Sequence, residues 1–313
     1  MTANQSHNPA TSDVSSEKAQ SEPQNQLTQR FTEAEWNALR RLRPMLPEIR
    51  RLAYESDTPK TFSIWGVTID PTDPAADARV SVVLMKFLRA RKLDVGSTKT
   101  LLIELLRWRQ EVNIDELVNR EFPRPRSPAV KFGKDKAGRP VLYNQITVEA
   151  IKRMWVDLDE DSKAVIQQTT RNLEKLARYL DYESVDQVTR VADMESMSAD
   201  DFTNNRPPNA VLARIVSNYY PNLSAHRLAV NAPLLLSMFA RVSSFFVTPE
   251  DGTMRFVGRG KETVAKKLLE IIDAEQLPKQ YGGKADGFFW PTADATQLIQ
   301  TTAQINAAIE KRV

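Results

Sequence analysis

Short strands alternate with longer helices over the second half of the chain, and this alternation restricts the fold more than any other feature. After Pro123 the stretch AVKFGKDKAGRPVLYNQIT predicts two strands around a tight turn, and a long helix follows from about Asp161. The later elements are predicted as strands at 187–194, 227–231 and 253–258 and helices at 208–219 and 261–274. Because strands joined by helical crossovers form a mostly parallel sheet, we predict an α/β fold.

The first part of the chain has the periodicity of helices. Apolar residues recur at helical spacing in TEAEWNALRRLRPMLPEIRRLAYESD and again from Val80 to Trp108. Gly96 and Ser97 are predicted to separate two helices in the second stretch. The predicted organisation is a helical N-terminal region at 31–125, an α/β domain at 126–286 and a C-terminal extension at 287–313.

Residues 1–30 have the composition of a tail. They are mostly Ser, Gln, Asn, Thr and Pro and contain no aromatic residue. Such a segment cannot bury enough apolar surface to offset the entropy of ordering, so we expect it to be disordered. It lacks the basic start and apolar stretch of a secretory signal.

The segment from Pro233 to Val247 predicts a helix that is apolar on every side. Its fifteen residues carry one charged side chain, Arg241. Such a helix is either fully buried or faces something apolar that is not protein. Polar residues keep the surrounding apolar run short of the roughly 20 residues that span a bilayer, so no transmembrane segment is predicted. An ordinary core helix and the cover of a cavity for an apolar ligand both remain open.

The sequence lacks the residue patterns of common catalytic and metal sites. It contains no cysteine, which excludes disulfides and thiolate metal sites. His7 and His226 have no second ligand at helical or hairpin spacing. No phosphate-binding glycine loop and no G-x-S-x-G elbow is present. We predict a cytosolic protein that is not an enzyme, and we expect His226 to pair with local polar groups.

Basic clusters are concentrated in the first 130 residues, although the net charge is only +3. The clusters are RRLRPMLPEIRR, RARK, RWR and REFPRPR. They suit the phosphates of an anionic membrane or of nucleic acid, or they are solvated helix faces.

Four stretches resemble, in the same order, the successive landmarks of the CRAL-TRIO lipid-binding proteins, the family of the yeast phosphatidylinositol transfer protein. They are LMKFLRARKLDVGSTKTLLIELLRWRQ, DKAGRPVLY, VSNYYPNLSAHRLAVNAP and LPKQYGGK. The resemblance covers residues 78–285 and implies the CRAL-TRIO fold, in which a mostly parallel sheet forms the floor of a lipid pocket. It also implies a mobile gate helix, here Pro233–Phe246, which we call the gate segment.

The resemblance implies two sets of binding residues. The pocket and gate set is Tyr143, Met194, Tyr219, Tyr220, Pro233, Leu235, Leu236, Phe239, Val242, Phe245 and Phe246. The headgroup set is Arg91, Lys92, Asn222, Thr253 and Arg255.

The headgroup set departs from the pattern of the family's inositol-lipid binders. Arg91 and Lys92 match the end of a motif that lies near the inositol phosphate. Asn222 stands where a glutamate often follows the Tyr-Tyr-Pro run, and Thr253 stands where a lysine is expected. Another lipid headgroup could therefore replace phosphatidylinositol.

The function implied by the resemblance is lipid binding, with transfer between membranes or presentation of a phosphoinositide precursor. Phosphatidylinositol is the expected ligand, and no cofactor is expected. The protein is expected to act as a monomer that visits anionic membranes, the endoplasmic reticulum among them, without binding nucleic acid. The stretch IWGV resembles a fungal branch with haem-binding members, so a haem or small-hydrophobe sensor with Met194 as a haem ligand is one alternative. An interaction adaptor is the other.

Overall fold

The computed structural model describes residues 22–57, 60–122, 129–148, 160–198, 201, 210–233 and 254–290, with side chains omitted at 160–162 and 210. These ranges contain a helical N-terminal region and a five-stranded sheet with its flanking helices.

Within the described residues, the N-terminal region contains five α-helices. They are α1 (Glu33–Leu42), α2 (Leu46–Tyr54), α3 (Ala78–Ala90), α4 (Val95–Glu111) and α5 (Ile114–Asn119). Thr32 begins α1 with a capping box, in which its hydroxyl accepts from the amide of Glu35 and the Glu35 carboxylate accepts from the amide of Thr32. Leucine side chains of α1, α2, α3 and α4 meet in one buried cluster, so the predicted helical region is observed.

The prediction of a disordered tail does not hold for residues 22–30. The side-chain amide of Asn25 donates to the carbonyl of Tyr182 over 2.8 Å, and Glu22 pairs with Arg43 at 2.8 Å. Leu27 is buried as well. Composition alone misses this because a few specific contacts offset the ordering entropy of a short polar segment.

A hairpin that the sequence did not predict lies between α2 and α3. Its strands are β1 (Phe62–Ile64) and β2 (Val67–Ile69), which pair antiparallel around Trp65 and Gly66. Both turn residues have positive φ, at 53° and 82°, as a two-residue hairpin turn requires. Trp65 is unusual at such a position, and packing holds it there, because its ring is 1% exposed and stacks on Phe87 at 5.1 Å.

The break between α3 and α4 falls earlier than predicted. Lys92 and Leu93 adopt left-handed conformations that end α3, and Asp94 then caps α4 by accepting from the amide of Ser97 over 2.7 Å. The pair Gly96-Ser97 lies inside the first turn of α4 and does not separate the helices.

The second half of the described chain forms the predicted α/β arrangement. Its strands are β3 (Ala129–Lys134), β4 (Pro140–Gln145), β5 (Val188–Asp193), β6 (Ser224–Ala232) and β7 (Arg255–Gly258), in that spatial order. β3 pairs antiparallel with β4, and the other three pairings are parallel. The helices are α6 (Glu160–Tyr179), α7 (Ala210–Arg214), which a π-helical turn extends over Ile215–Tyr219, and α8 (Lys261–Leu269). The mostly parallel sheet is thus confirmed.

The two faces of the sheet carry different clusters. One face packs on α8 and the segment after it through a cluster that includes Val141, Tyr143, Val191, Leu228, Val230 and Leu268. The opposite face carries Met194, Met197, Ala229 and Ala232, which we call the pocket floor.

A buried carboxylate joins the N-terminal region to the α/β domain. Glu174 of α6 is 0% exposed and accepts four hydrogen bonds, each 2.9 Å long. Two come from Arg109 of α4, one from Arg178 and one from the hydroxyl of Tyr220. We call these four residues the Glu174 junction.

Replacing Glu174 by glutamine should lower the free energy of unfolding by about 3–5 kcal/mol, because the buried Arg109 guanidinium loses its counter-ion. Urea denaturation of the purified protein measures this. Glu104→Gln is the matched control, since its pair with Arg214 at 3.4 Å is exposed and is expected to contribute at most about 1 kcal/mol. Equal, small losses in both variants would contradict the assignment.

The same carboxylate should make stability depend on acid pH. Burial works to raise the pKa of Glu174, but the hydrogen bonds and charges of Arg109 and Arg178 outweigh it and hold the pKa below its ordinary value. Glutamate in an unfolded chain titrates near about 4.3, so this stabilisation is complete above that pH and is lost as the pH falls below it. Urea midpoints between pH 7 and 3 should fall more steeply in the wild type than in Glu174→Gln, and parallel profiles would refute the role.

Candidate functional site

The pocket floor lies at the carboxyl ends of two neighbouring parallel strands. Met194 follows β5 directly, and its amide donates to the carbonyl of Val230 in β6 over 3.0 Å. The amide of Met197 then turns back to the carbonyl of Met194 over 2.9 Å. In open α/β sheets this edge is where ligands bind. The side chains packed against the floor are also apolar, namely Ile146, Val148, Met254 and Phe256.

Asp193 fixes the strand ends beside the floor. Its buried carboxylate accepts from the hydroxyl of Tyr281 over 2.7 Å and from the side-chain amide of Asn231 over 2.9 Å. Asn231 has a left-handed φ of 55° and stands two residues before Pro233, where the gate segment begins. Burial and the Asp193 charge raise the pKa of Tyr281, so this hydroxyl stays a donor. Neither Asp193 nor Tyr281 was predicted from the sequence as a site residue.

Most of the gate segment lies outside the described residues. The predicted residues concerned are Leu235, Leu236, Phe239, Val242, Phe245 and Phe246, together with Thr253 of the headgroup set. Their roles stay predictions. Pro233 lies within the described residues. It directly follows β6 and is buried.

Tyr143 lies on the α8 side of the sheet, away from the pocket floor. It is fully buried and stacks on Tyr281 with a centroid distance of 5.4 Å, and Phe288 meets its ring edge-on at 5.0 Å. Burial raises the pKa of its hydroxyl. Among the residues that the structure describes, this hydroxyl has no hydrogen-bond partner.

Tyr219 and Tyr220 lie at the contact between the N-terminal region and the α/β domain. Tyr219 stacks on Trp108 of α4 at 4.5 Å, and Tyr220 belongs to the Glu174 junction and stacks on Trp65 at 6.1 Å. Of the described residues in the predicted pocket set, only Met194 belongs to the pocket floor.

Two members of the predicted headgroup set lie along the contact of α3 with the turn after α7. Arg91 donates to Asn218 Oδ1 over 3.1 Å and to the carbonyl of Ala90 over 2.9 Å. The carbonyl of Asn222 accepts from the ammonium of Lys86 over 2.9 Å. Lys92 is exposed.

The Asn222 contact is deeply buried on one side. Lys86 is 0% exposed and also pairs with Asp186 at 2.8 Å. The side-chain oxygen of Asn222 accepts from Gln187 over 2.7 Å. This asparagine therefore holds α3 against the α/β domain. Its φ of 57° is left-handed, a conformation that asparagine tolerates because its short polar side chain can form local hydrogen bonds.

Arg255 lies elsewhere, at the start of β7. Its register partner in β6 is Leu228, whose side chain belongs to the cluster on the α8 side. It is close enough to His226 to contribute to the lowered pKa of that imidazole, after burial and the charge of Arg139. His226 accepts a hydrogen bond from Arg139 over 2.9 Å, so it pairs with local polar groups as expected.

The structure thus does not bring the described headgroup candidates to one point. Arg91 and Asn222 take part in different contacts between α3 and the α/β domain. Arg255 lies in the edge strand β7, on the α8 side of the sheet. No cluster of three or more His, Cys, Asp or Glu side chains suited to a metal occurs within the described ranges. None of the helices described above has both the length and the apolarity to cross a bilayer.

Two plant proteins are similar to this chain in sequence. Patellin-3 of Arabidopsis thaliana is 29% identical over 252 residues, which make up 76% of this chain and 50% of Patellin-3. The phosphatidylinositol/phosphatidylcholine transfer protein SFH4 of the same plant is 27% identical over 216 residues, 64% of this chain and 35% of SFH4. The chain therefore spans half or less of the length of these two relatives.

A solved structure and a family profile complete the comparison. The crystal structure of Sfh5 superposes with a TM-score of 0.58 at 17% identity and covers 88% of this chain and 98% of Sfh5, which shows the same fold. Residues 126–283 match the profile of the CRAL/TRIO domain. Because that match extends over half of the sequence, the chain belongs to the CRAL/TRIO domain family.

Proposed function

We propose that this protein binds a membrane phospholipid over the pocket floor and transfers it between membranes, with phosphatidylinositol as the expected ligand. The observation that carries the proposal is the apolar floor of Met194, Met197, Ala229 and Ala232 at the carboxyl ends of β5 and β6 in a CRAL/TRIO domain. The names of two relatives, SFH4 and SFH12, support the ligand class, since both are phosphatidylinositol/phosphatidylcholine transfer proteins.

The energetics of transfer require a pocket about as apolar as a bilayer. Burying one CH₂ group is worth about 0.8 kcal/mol, and the membrane already provides that burial. A pocket that matches it lets a lipid leave the membrane at little net cost once a cover opens. The apolar sequence of the gate segment suits such a cover, which shields the chains in water and touches the membrane surface when open.

The proposal needs no covalent chemistry. A transfer protein moves its ligand without breaking a bond, so it needs no nucleophile or general base. This agrees with the expectation from sequence that the chain is not an enzyme. Extraction and mass spectrometry of whatever copurifies with the protein would identify the ligand without assuming its class.

A charge placed in the gate segment should abolish transfer. Leu236→Asp puts a carboxylate among apolar side chains, and we expect a loss of at least about 10-fold in the rate at which labelled phosphatidylinositol moves between vesicles. Leu236→Met is the matched control, because it keeps the apolar character. The far-ultraviolet circular dichroism spectrum should be unchanged in both. Full transfer by the aspartate variant would refute the gate assignment.

Substitutions at the basic end of α3 should slow the transfer of one class of lipid more than that of another. If Arg91 and Lys92 hold the headgroup phosphate and inositol, the double variant Arg91→Ala, Lys92→Ala should slow transfer of phosphatidylinositol more than that of phosphatidylcholine, by about 10-fold or more. Competitive transfer from vesicles that contain both lipids measures the ratio. An equal slowing of both lipids would mean that the two residues serve folding or membrane docking, since Arg91 also bonds to Asn218.

A further inference from the structure

A row of cations runs along one side of α6. Arg171 and Lys175 stand one helical turn apart, and Tyr179 follows after one more turn. Arg120, which directly follows α5, reaches the same row, because its guanidinium donates to the side-chain oxygen of Gln167 over 3.2 Å. The row from Gln167 to Tyr179 is about 18 Å long.

A strand residue extends the row, and two aromatic rings are interleaved with it. The ammonium of Lys131 in β3 lies 3.7 Å from the centre of the Tyr179 ring, where it makes a cation–π contact. At the other end, the guanidinium carbons of Arg120 and Arg171 lie 5.6 and 5.8 Å from the centre of the Phe122 ring. The four cations, which we call the basic strip, are Arg120, Lys131, Arg171 and Lys175.

The charges of the basic strip are not neutralised by direct partners. Among the residues that the structure describes, none of its four side chains forms an ion pair with a carboxylate. Desolvation and the charge of Arg171 lower the pKa of Lys175, and the opposing charge of Glu121 does not cancel them. Like charges one turn apart on a helix destabilise it. An anionic partner would therefore offset a repulsion that is built into α6.

The basic clusters recognised from sequence differ in this respect. Arg43 pairs with Glu22 at 2.8 Å, and Arg89 pairs with Glu35 at 2.7 Å. Such pairs reduce the attraction that a cluster exerts on a polyanion. Arg120 is the one member of the basic strip that lies in a cluster of the sequence, because the strip forms only when α5, α6 and β3 come together.

The basic strip lies on the pocket-floor side of the sheet. Lys131 is the register partner of Leu142, whose neighbours Val141 and Tyr143 belong to the cluster on the α8 side. Because successive side chains of a strand alternate between faces, Leu142 and Lys131 point to the opposite face, which carries the pocket floor. Tyr179 is 53% exposed beside Lys131. An anionic surface that meets the strip therefore faces the pocket-floor side of the molecule.

We propose that the basic strip is a docking surface for an anionic membrane, which it holds toward the pocket-floor side of the sheet. Its cations attract acidic headgroups, and the half-exposed ring of Tyr179 suits the interface between headgroups and water. A nucleic acid fits less well, because bases stack on open ring faces and cations already lie over Phe122 and Tyr179. The purpose of this orientation rests on the proposed function, whereas docking can be measured without it.

Vesicle binding by the full-length protein tests the basic strip. The probes are phosphatidylcholine vesicles with and without phosphatidylserine, and cosedimentation measures the bound fraction. Arg171→Gln with Lys175→Gln should weaken binding to the phosphatidylserine vesicles by about 10- to 30-fold and leave binding to pure phosphatidylcholine unchanged. The matched control is Lys267→Gln with Lys284→Gln, which removes two exposed cations that already pair with carboxylates. Its binding should fall by less than about 3-fold.

The results distinguish docking from other roles. Equal binding by the strip variant and the wild type, or an equal loss in the strip variant and the control, would overturn the docking surface. Wild-type binding to a single-stranded oligonucleotide that is tighter than binding to the vesicles, and that the strip variant loses, would overturn it as well. A wild type that docks through the strip but moves no labelled lipid between vesicles would defeat the proposed function and leave the docking surface intact.

The strip variant should transfer lipid between pure phosphatidylcholine vesicles at the wild-type rate. A loss of transfer there would mean that the substitutions damage the pocket, and the docking surface would be refuted.

Thermal unfolding separates docking from a structural role of the strip. Glutamine relieves the repulsion between Arg171 and Lys175, so the midpoint of the double variant should equal or exceed that of the wild type. A lower midpoint together with lost binding would assign the strip a structural role and refute docking. Arg171→Lys keeps the charge and should bind as the wild type does. Lys175→Gln alone should lose about 5-fold in binding, which tests the strip should the double variant fail to fold.

Discussion

The carboxylate of Glu174 is the constraint on which the arrangement of the two regions depends. It is fully buried, and a buried charge is tolerated only where partners replace its hydration. Those partners come from three elements that are far apart in sequence, namely α4, α6 and the turn after α7. The position of α4 is therefore tied to the helix that lies beside the sheet. The aromatic rings of Trp65 and Trp108 pack around the same contact, so apolar burial and a charge network specify one geometry.

The contact of α3 with the α/β domain also contains a buried charge, in this case a cation. Lys86 is a buried cation, and Asp186 and the carbonyl of Asn222 replace its water. The Tyr-Tyr-Pro run thus lies between a buried anion and a buried cation. Tyr219, Tyr220 and Asn222 match lipid-binding landmarks by position, but their contacts in this structure join the two regions. The pocket floor lies on the sheet beyond them, where Asp193 orders the strand ends.

The order and type of most elements could be predicted because their apolar periodicity is local. The bounds of the strands after Pro123 and of the long helix from about Asp161 were predicted within a few residues. The mostly parallel arrangement of the strands was predicted as well. The hairpin at Trp65 could not be predicted, because a tryptophan with positive φ is stable only through rings contributed by α3 and the α/β domain. The break before α4 was misplaced because a side-chain cap at Asp94, rather than the glycine, starts the helix.

The candidate site was predictable only in outline. Motif order placed Met194 and Pro233 near the floor, but the face on which a strand residue lies depends on register, which pairs β4 with a strand more than forty residues away. Tyr143 therefore lies on the α8 side of the sheet and not over the pocket floor.

The irregular edge strand has a consequence for how the molecule behaves at high concentration. β3 is an edge of the described sheet, and its register with β4 shifts between Lys131 and Lys134 around Gly133, whose φ is 66°. A bulge of this kind twists an edge away from the flat geometry that a strand of another molecule needs for pairing. The exposed Lys134 adds charge repulsion between two such edges. The unpaired backbone groups of β3 are therefore a poor template for pairing with a strand of another molecule, which opposes aggregation through this edge.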